Sequence, residues 1–260
     1  MIPRSILSAQ KLTSELFIQN PNDLDLEGVI NLYGSYYQEK AMSGADGRII
    51  FKGNNTIITI NSNISYLPKK RFVIAHEFGH LILHKNTLPV FSCDEASFME
   101  WYHGSSYEVQ ANEFASEFLM PTALFISEAK KHKLFDFEVI KSLATHFQTS
   151  ITSTLIKFIT SGTHPIAAVY SINGKVKWQS FSNEFIFKRF KSKKNFQIPA
   201  GTVAADILIG KGTAMKKEMV PAFYWFEIFD SQRDIYLYEQ CFPIQSQNGL
   251  ISLFWVCEDF

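Results

Sequence analysis

Cysteine is scarce, and its count is odd. Cys93, Cys241 and Cys257 are the three in 260 residues. Thiols so widely spaced fit neither a disulfide framework nor a thiolate zinc site. They read as reduced thiols, buried or on the surface, and imply a cytoplasmic protein. No apolar run approaches the roughly 20 residues of a membrane span, so no membrane partner is expected. The opening stretch MIPRSILSAQKLTSELF lacks the apolar region and small-residue cleavage site of a secretory leader. Neither sign of charge dominates: 25 Lys and Arg balance 25 Asp and Glu. Net charge therefore draws the chain to neither nucleic acid nor lipid. Internal repeats, low-complexity tracts and a phosphate-binding glycine loop are missing too. The remainder is an ordinary globular composition rich in phenylalanine, long enough for one or two domains.

Within it one stretch is dense in chemistry. Arg71–His84 reads RFVIAHEFGHLILH and contains His76-Glu77-Phe78-Gly79-His80, an H-E-x-x-H pattern. The spacing predicts a helix whose two histidines stand one turn apart and lean the same way. Two imidazole nitrogens can then reach one zinc ion. Glu77 can take a proton from water held at the open metal position. Apolar residues on both flanks predict a buried helix. Buried histidines need partners, either a metal or backbone carbonyls. Gly79 costs about 1 kcal/mol mid-helix relative to Ala. A close substrate, another backbone or a plain helix crossing would each explain it. The longer metzincin pattern fails, because Leu83 and Asn86 stand where glycine and histidine are required. His84 lies too far along the axis from His76 to share one metal on one helix. It reads instead as a histidine at a helix C-terminus.

A catalytic zinc needs a third protein ligand. The helix predicted over Tyr107–Met120 carries Glu108, Glu113 and Glu117, and Glu100 lies before it. At about 100° per residue, Ala111, Phe114, Ala115, Phe118 and Leu119 form its apolar face. Glu108 falls at the edge of that face, whereas Glu113 and Glu117 are expected to point to solvent. The small Ala111 and Ala115 permit close approach to the histidine helix. Asn112 sits one turn beyond Glu108, where its amide can orient a ligand histidine.

Helices are also predicted near Ile6–Ile18, Thr122–Lys131, Phe137–Phe147 and Ser150–Ile159. Leu24–Tyr37 reads as a helix or a helix–strand junction. Arg48–Lys52 and Thr56–Asn61 read as a hairpin. Thr56–Asn61 is expected to be an exposed edge to which an extended substrate could pair. Lys85–Ser106 reads as a long connection next to the site. After Pro165 the pattern turns to strands at Ile166–Ser171, Lys175–Gln179, Phe185–Phe190, Ala222–Phe229, Asp234–Phe242 and Leu250–Val256, with Asn173-Gly174 a hairpin turn.

RFVIAHEFGHLILH, then EVQANEFASEFLMP, then LATHFQTSITSTLIKFI resemble the ImmA/IrrE family of metallopeptidases, over roughly residues 25–160. The resemblance implies a gluzincin-like helical core around one zinc, with His76, His80 and Glu108 as ligands and Glu77 as the base. It implies cleavage or inactivation of a helix-turn-helix repressor, in a mobile element or a stress response. The expected fold class is α+β: a mostly helical zincin-like core with a small sheet over 1–162, then a small sheet-rich domain over 163–260, sensory or regulatory. Segment 137–160 is helix-turn-helix-like. Its second helix carries only Lys157 as a basic residue, so direct DNA reading is not expected. The basic run Lys188–Lys194 reads as a solvated face. Tyr102, His103 or Tyr107 could stabilise an oxyanion. The rival reading is a non-enzymatic regulator that keeps the zinc fold and acts by binding a partner repressor or DNA.

Overall fold

The computed structural model describes residues 2–53, 55–85, 87, 89–93, 106–229, 235–244 and 248–256. The fold is α+β, and the chain divides into two compact units. One is Met1–Lys131 with Glu138–Thr154; the other is His132–Phe137 with Leu155–Phe260.

In the first unit α1 (Arg4–Glu15) leads to α2 (Leu26–Leu32), which Asp25 caps by accepting from the Gly28 amide at 3.0 Å. β1 (Ser35–Lys40) follows at once, so the stretch after Leu24 is a helix–strand junction. β2 (Gly47–Lys52) and β3 (Asn55–Asn61) form the antiparallel hairpin. α3 (Leu67–His84) starts with Pro68 in its first turn, where a missing amide hydrogen costs nothing. β4 (Val90–Cys93) is a strand inside the stretch that reads as connection. Phe91 and Cys93 are buried and alternate with exposed Val90 and Ser92, a period-2 signal too short to stand out in the sequence. α4 (Ser106–Leu119), α5 (Thr122–Ala129) and α6 (Phe137–Phe147) follow, and α7 (Ile151–Ser161) passes from this unit into the second at Leu155. Gln148 takes φ 52° in the turn between α6 and α7.

The sheet order is β1-β3-β2-β4. β3 is therefore central, parallel to β1 and antiparallel to β2. The edge-strand expectation for Thr56–Asn61 is overturned, and a substrate strand has no free edge of β3 to join. The misreading has a physical cause: alternation reports which face is buried, not which edge is paired. The partner β1, Ser-Tyr-Tyr-Gln-Glu-Lys, carries little apolar signal.

Ile49, Ile58 and Ile60 of the sheet pack with Val73 and Phe78 of α3 and with Phe114 and Phe118 of α4 in one buried cluster. At Gly79 a β-carbon would stand 3.3 Å from the Ala111 Cα and 3.1 Å from the Phe114 ring. The glycine thus serves a helix crossing, and the close neighbour is the α4 backbone.

The second unit holds a five-stranded antiparallel sheet of β5 (Ile166–Ile172), β6 (Lys175–Phe181), β7 (Lys217–Pro221), β8 (Tyr236–Ile244) and β9 (Gly249–Val256). Its order is β6-β5-β9-β8-β7. A short helix, α8 (Val203–Leu208), accompanies it. Asn173 and Gly174 take φ 49° and 73°, as the two-residue hairpin turn requires. Phe185–Phe190 and Ala222–Phe229 are not strands. They meet at one isolated bridge, Phe190 to Phe226. Phe185, Phe187 and Phe190 pack on the Phe226 ring at 4.7–5.3 Å between centroids. Aromatic content mimicked strand propensity, but these side chains fill the core from irregular backbone.

Candidate metal centre

α3 carries His76, Glu77 and His80, all fully buried, because apolar residues surround them on every side of the helix. The close α3–α4 crossing at Gly79 and Ala111 brings Glu108 over the histidine pair. Its Oε2 lies 3.0 Å from His76 Nε2, and its Oε1 lies 3.5 Å from His80 Nε2. The three sequence-derived ligand candidates therefore converge.

Hydrogen bonds fix both rings from behind. His76 Nδ1 is 2.9 Å from Asn112 Oδ1, which can only accept, so the ring proton sits on Nδ1. His80 Nδ1 is 3.0 Å from His84 Nδ1, and His84 Nε2 is 3.3 Å from Gln110 Oε1. That chain runs in one sense: His84 donates to Gln110 and accepts from His80. His84 thus bonds the far side of the His80 ring and lies outside the cluster of four donors. Both remaining Nε2 atoms present lone pairs, and they face each other at 3.1 Å. Two imidazole nitrogens and a carboxylate crowd into one space, where they repel unless something positive joins them. A metal cation supplies that charge, so the donor set fits a metal ion.

A fourth donor joins them. Cys93 Sγ lies 2.9 Å from His76 Nε2, 3.8 Å from His80 Nε2 and 3.5 Å from Glu108 Oε2. The four donor atoms all lie within 4.8 Å of one another. Cys93, which its spacing sets apart from any metal site, lies in a group of four residues that could hold a metal ion. No spacing rule could find it, because positions 76, 80, 93 and 108 come from three separate elements. The β2–β4 register decides its place: Cys93 pairs with Gly47, and the Asp46 amide donates to the Cys93 carbonyl at 2.8 Å.

Gly47 was also illegible as a site residue. A β-carbon there would collide with Glu77 Oε1 and stand 2.7 Å from Val73 Cγ1. Neither oxygen of Glu77 has a partner at ordinary hydrogen-bond distance among the described residues, and the Cys93 thiol interacts with the carboxyl as a weak donor. Burial, reinforced by the Glu108 charge, pushes the Glu77 carboxyl up to about 8. Burial pushes His80 down to about 4. Burial would raise Glu108; imidazoles protonated toward it at His76 and His80 would instead hold it well below the usual carboxylate range. A cation among these groups would favour the ionised carboxylates and the neutral imidazoles.

Two other expectations are corrected. Glu117 does not face solvent; it is 2% exposed and accepts from Gln10 Nε2 at 3.0 Å and from the Thr122 amide at 3.0 Å. Glu113 accepts from Ser5 Oγ at 2.5 Å. The face opposite the histidines is covered by α1, which sequence periodicity cannot reveal. Among the oxyanion candidates Tyr107 packs edge-on against His84, with ring centroids 4.9 Å apart. Tyr102, His103 and the competing Glu100 lie outside the described residues.

A helix-borne histidine pair beside a carboxylate from the next helix, on a small mixed sheet, defines the metallopeptidase class. A model of the IrrE N-terminal-like domain, a peptidase family, matches residues 35–158. Over 121 residues the chain is 31% identical to uncharacterized immunity region protein 2 of Bacillus phage phi105, spanning 46% of this chain and 71% of that protein. The chain belongs to the ImmA/IrrE family. A Mycobacterium tuberculosis transcriptional regulator of known structure shares the fold, with a TM-score of 0.62 at 12% identity, over 98% of this chain and 77% of that one. No helix among the described residues is long and apolar enough to cross a membrane.

Proposed function

We propose that this chain is a zinc-dependent endopeptidase that acts in the cytoplasm on a helix-turn-helix repressor, with Glu77 as general base. The observation that carries the reading is the pair of facing Nε2 lone pairs on His76 and His80, with Glu108 between them and the buried Glu77 alongside. Zinc, when bound, supplies Lewis acidity toward the scissile carbonyl and makes the attacking water more acidic. The chain's own groups do the rest. His76, His80 and Glu108 would hold the ion, and Asn112 and His84 keep the two rings aimed. Glu77 takes the proton from water as its oxygen attacks the carbonyl carbon. It then delivers that proton to the amine as the C–N bond breaks. Glu77 is poised for this because only a thiol, a weak donor, interacts with its oxygens among the described residues.

The choice of substrate draws on the phage relative, whose name places it in an immunity region. The region after residue 162 is proposed as a regulatory or sensory domain. The rival reading, a non-enzymatic regulator, draws on the solved neighbour, which is named a transcriptional regulator. One experiment separates the two: incubate the protein and zinc with candidate helix-turn-helix repressors from the same source, using wild type and Glu77→Gln. Fragments from wild type alone support the peptidase. An intact repressor, with regulation surviving Glu77→Gln, favours the regulator.

A further inference from the structure

The register of the sheet has a chemical consequence at the metal centre. Residues paired across a sheet point to the same face. Gly47 points at Glu77 on α3, so its partner Cys93 points there too. Cys93 is fully buried, and its Sγ lies 2.9–3.8 Å from the two histidine nitrogens and the nearer Glu108 oxygen. Ligands around one tetrahedral zinc stand about 3.3–3.6 Å apart, from zinc–nitrogen and zinc–sulfur bonds of about 2.0–2.3 Å. The four donors here straddle that spacing. They are all of types zinc accepts: two imidazoles, a carboxylate and a cysteine sulfur, which ligates as the thiolate once a cation displaces its proton. Four protein ligands make a closed centre, whereas hydrolysis needs one position open for water.

We propose that Cys93 is a removable fourth ligand, whose thiolate fills the water position and holds the peptidase in a closed resting form. This rests on the metal reading above. Cys93 ends β4, a four-residue strand paired to β2 on one side among the described residues. Opening has to break only the Cys93–Gly47 pairing and the Asp46–Cys93 backbone bond, without unpairing the rest of the sheet. Withdrawal of Cys93 leaves His76, His80 and Glu108 in place on their two helices. The open position then lies beside Glu77, the group that needs water there. The trigger is any event that draws the end of β4 away.

Cobalt(II) is the probe, loaded in place of zinc into the purified full chain. Wild type is expected to show the near-ultraviolet thiolate-to-cobalt charge-transfer band, and Cys93→Ala to lose it while still binding one cobalt. Acetohydroxamate, a small chelating anion, should perturb the visible cobalt spectrum of Cys93→Ala at a lower concentration than wild type, because its position is already open. A second measurement needs no variant. Zinc should slow alkylation of Cys93 by iodoacetamide in the native wild-type protein, with the peptide identified by mass spectrometry and buried Cys241 as internal reference. Bound metal without a thiolate band, or alkylation of Cys93 at one rate with and without zinc, overturns the assignment of Cys93 alone. If wild type takes up no metal, the metal centre itself is wrong and this inference falls with it.

Discussion

The Glu77 carboxylate occupies the space that a side chain on Gly47 would need, so the proposed base is seated by an absence on the neighbouring strand. A β-carbon at position 47 would meet Glu77 Oε1 and, at 2.9 Å, its Cγ. Gly47→Ala should therefore shift Glu77 without touching His76, His80 or Glu108. We expect metal content near that of wild type and cleavage of the repressor reduced at least as far as the ~100-fold of a lost general base. Metal analysis beside a cleavage assay checks this; a fully active Gly47→Ala would detach Gly47 from the base.

Glu108 and Glu117 lie on one helix but differ in role, and their alanine variants should fail differently. Glu108→Ala removes a donor at the histidine pair and should abolish metal binding. Glu117→Ala should keep the metal but cost about 1–3 kcal/mol, since it strands the Thr122 amide and Gln10. Metal analysis and urea unfolding of both variants separate the two. Full metal occupancy in Glu108→Ala would remove it from the centre.

Asn112 anchors His76 from behind through a 2.9 Å bond. Asn112→Ala should leave the His76 Nδ1 proton unpaired and free the ring to turn. Metal affinity should fall about 10–100-fold, as for other lost orienting partners of metal ligands. Competition against a chelator of known affinity reads this directly, and an unchanged constant would show that His76 is held by packing alone.

Glu239 of the second unit is fully buried and accepts from the Val203 and Ala204 amides at 3.0 and 3.1 Å, one on each oxygen. Glutamine offers only one acceptor end, so Glu239→Gln should destabilise the fold by about 1–3 kcal/mol. Burial raises the Glu239 carboxyl above its ordinary value, against the pull of those bonds. The folded state thus holds its proton more tightly than the unfolded chain. Wild type loses this contribution as pH rises above the ordinary 4.5, while the glutamine variant does not titrate. The deficit of Glu239→Gln should therefore be largest near pH 5 and shrink toward pH 8. Chemical denaturation across that range tests it; a deficit that grows with pH reverses the sign.

The sequence by itself determined the parts of this protein that are local. Helical spacing alone puts His76 and His80 on one face, one turn apart. The apolar flanks bury α3, and the small Ala111 and Ala115 mark where α4 crosses it. Glu108 and Asn112 follow, because their angular positions on α4 are fixed relative to those alanines. The Asn173-Gly174 turn is equally local, since few residues besides these adopt its positive φ. Tertiary structure alone decided the rest. Whether β3 lies at an edge or in the centre depends on β1, whose polar sequence advertises no pairing. Whether Glu117 meets water or α1 depends on a helix some hundred residues upstream, joined by the Gln10–Glu117 hydrogen bond. Cys93 reaches the histidine pair only because strand register sets it opposite Gly47, and Gly47 reaches Glu77 only because α3 lies on that strand. Spacing along a chain reports neighbours on one helix or strand. It cannot report the pairing of strands or the stacking of layers, and those long-range choices placed the thiol beside the histidines.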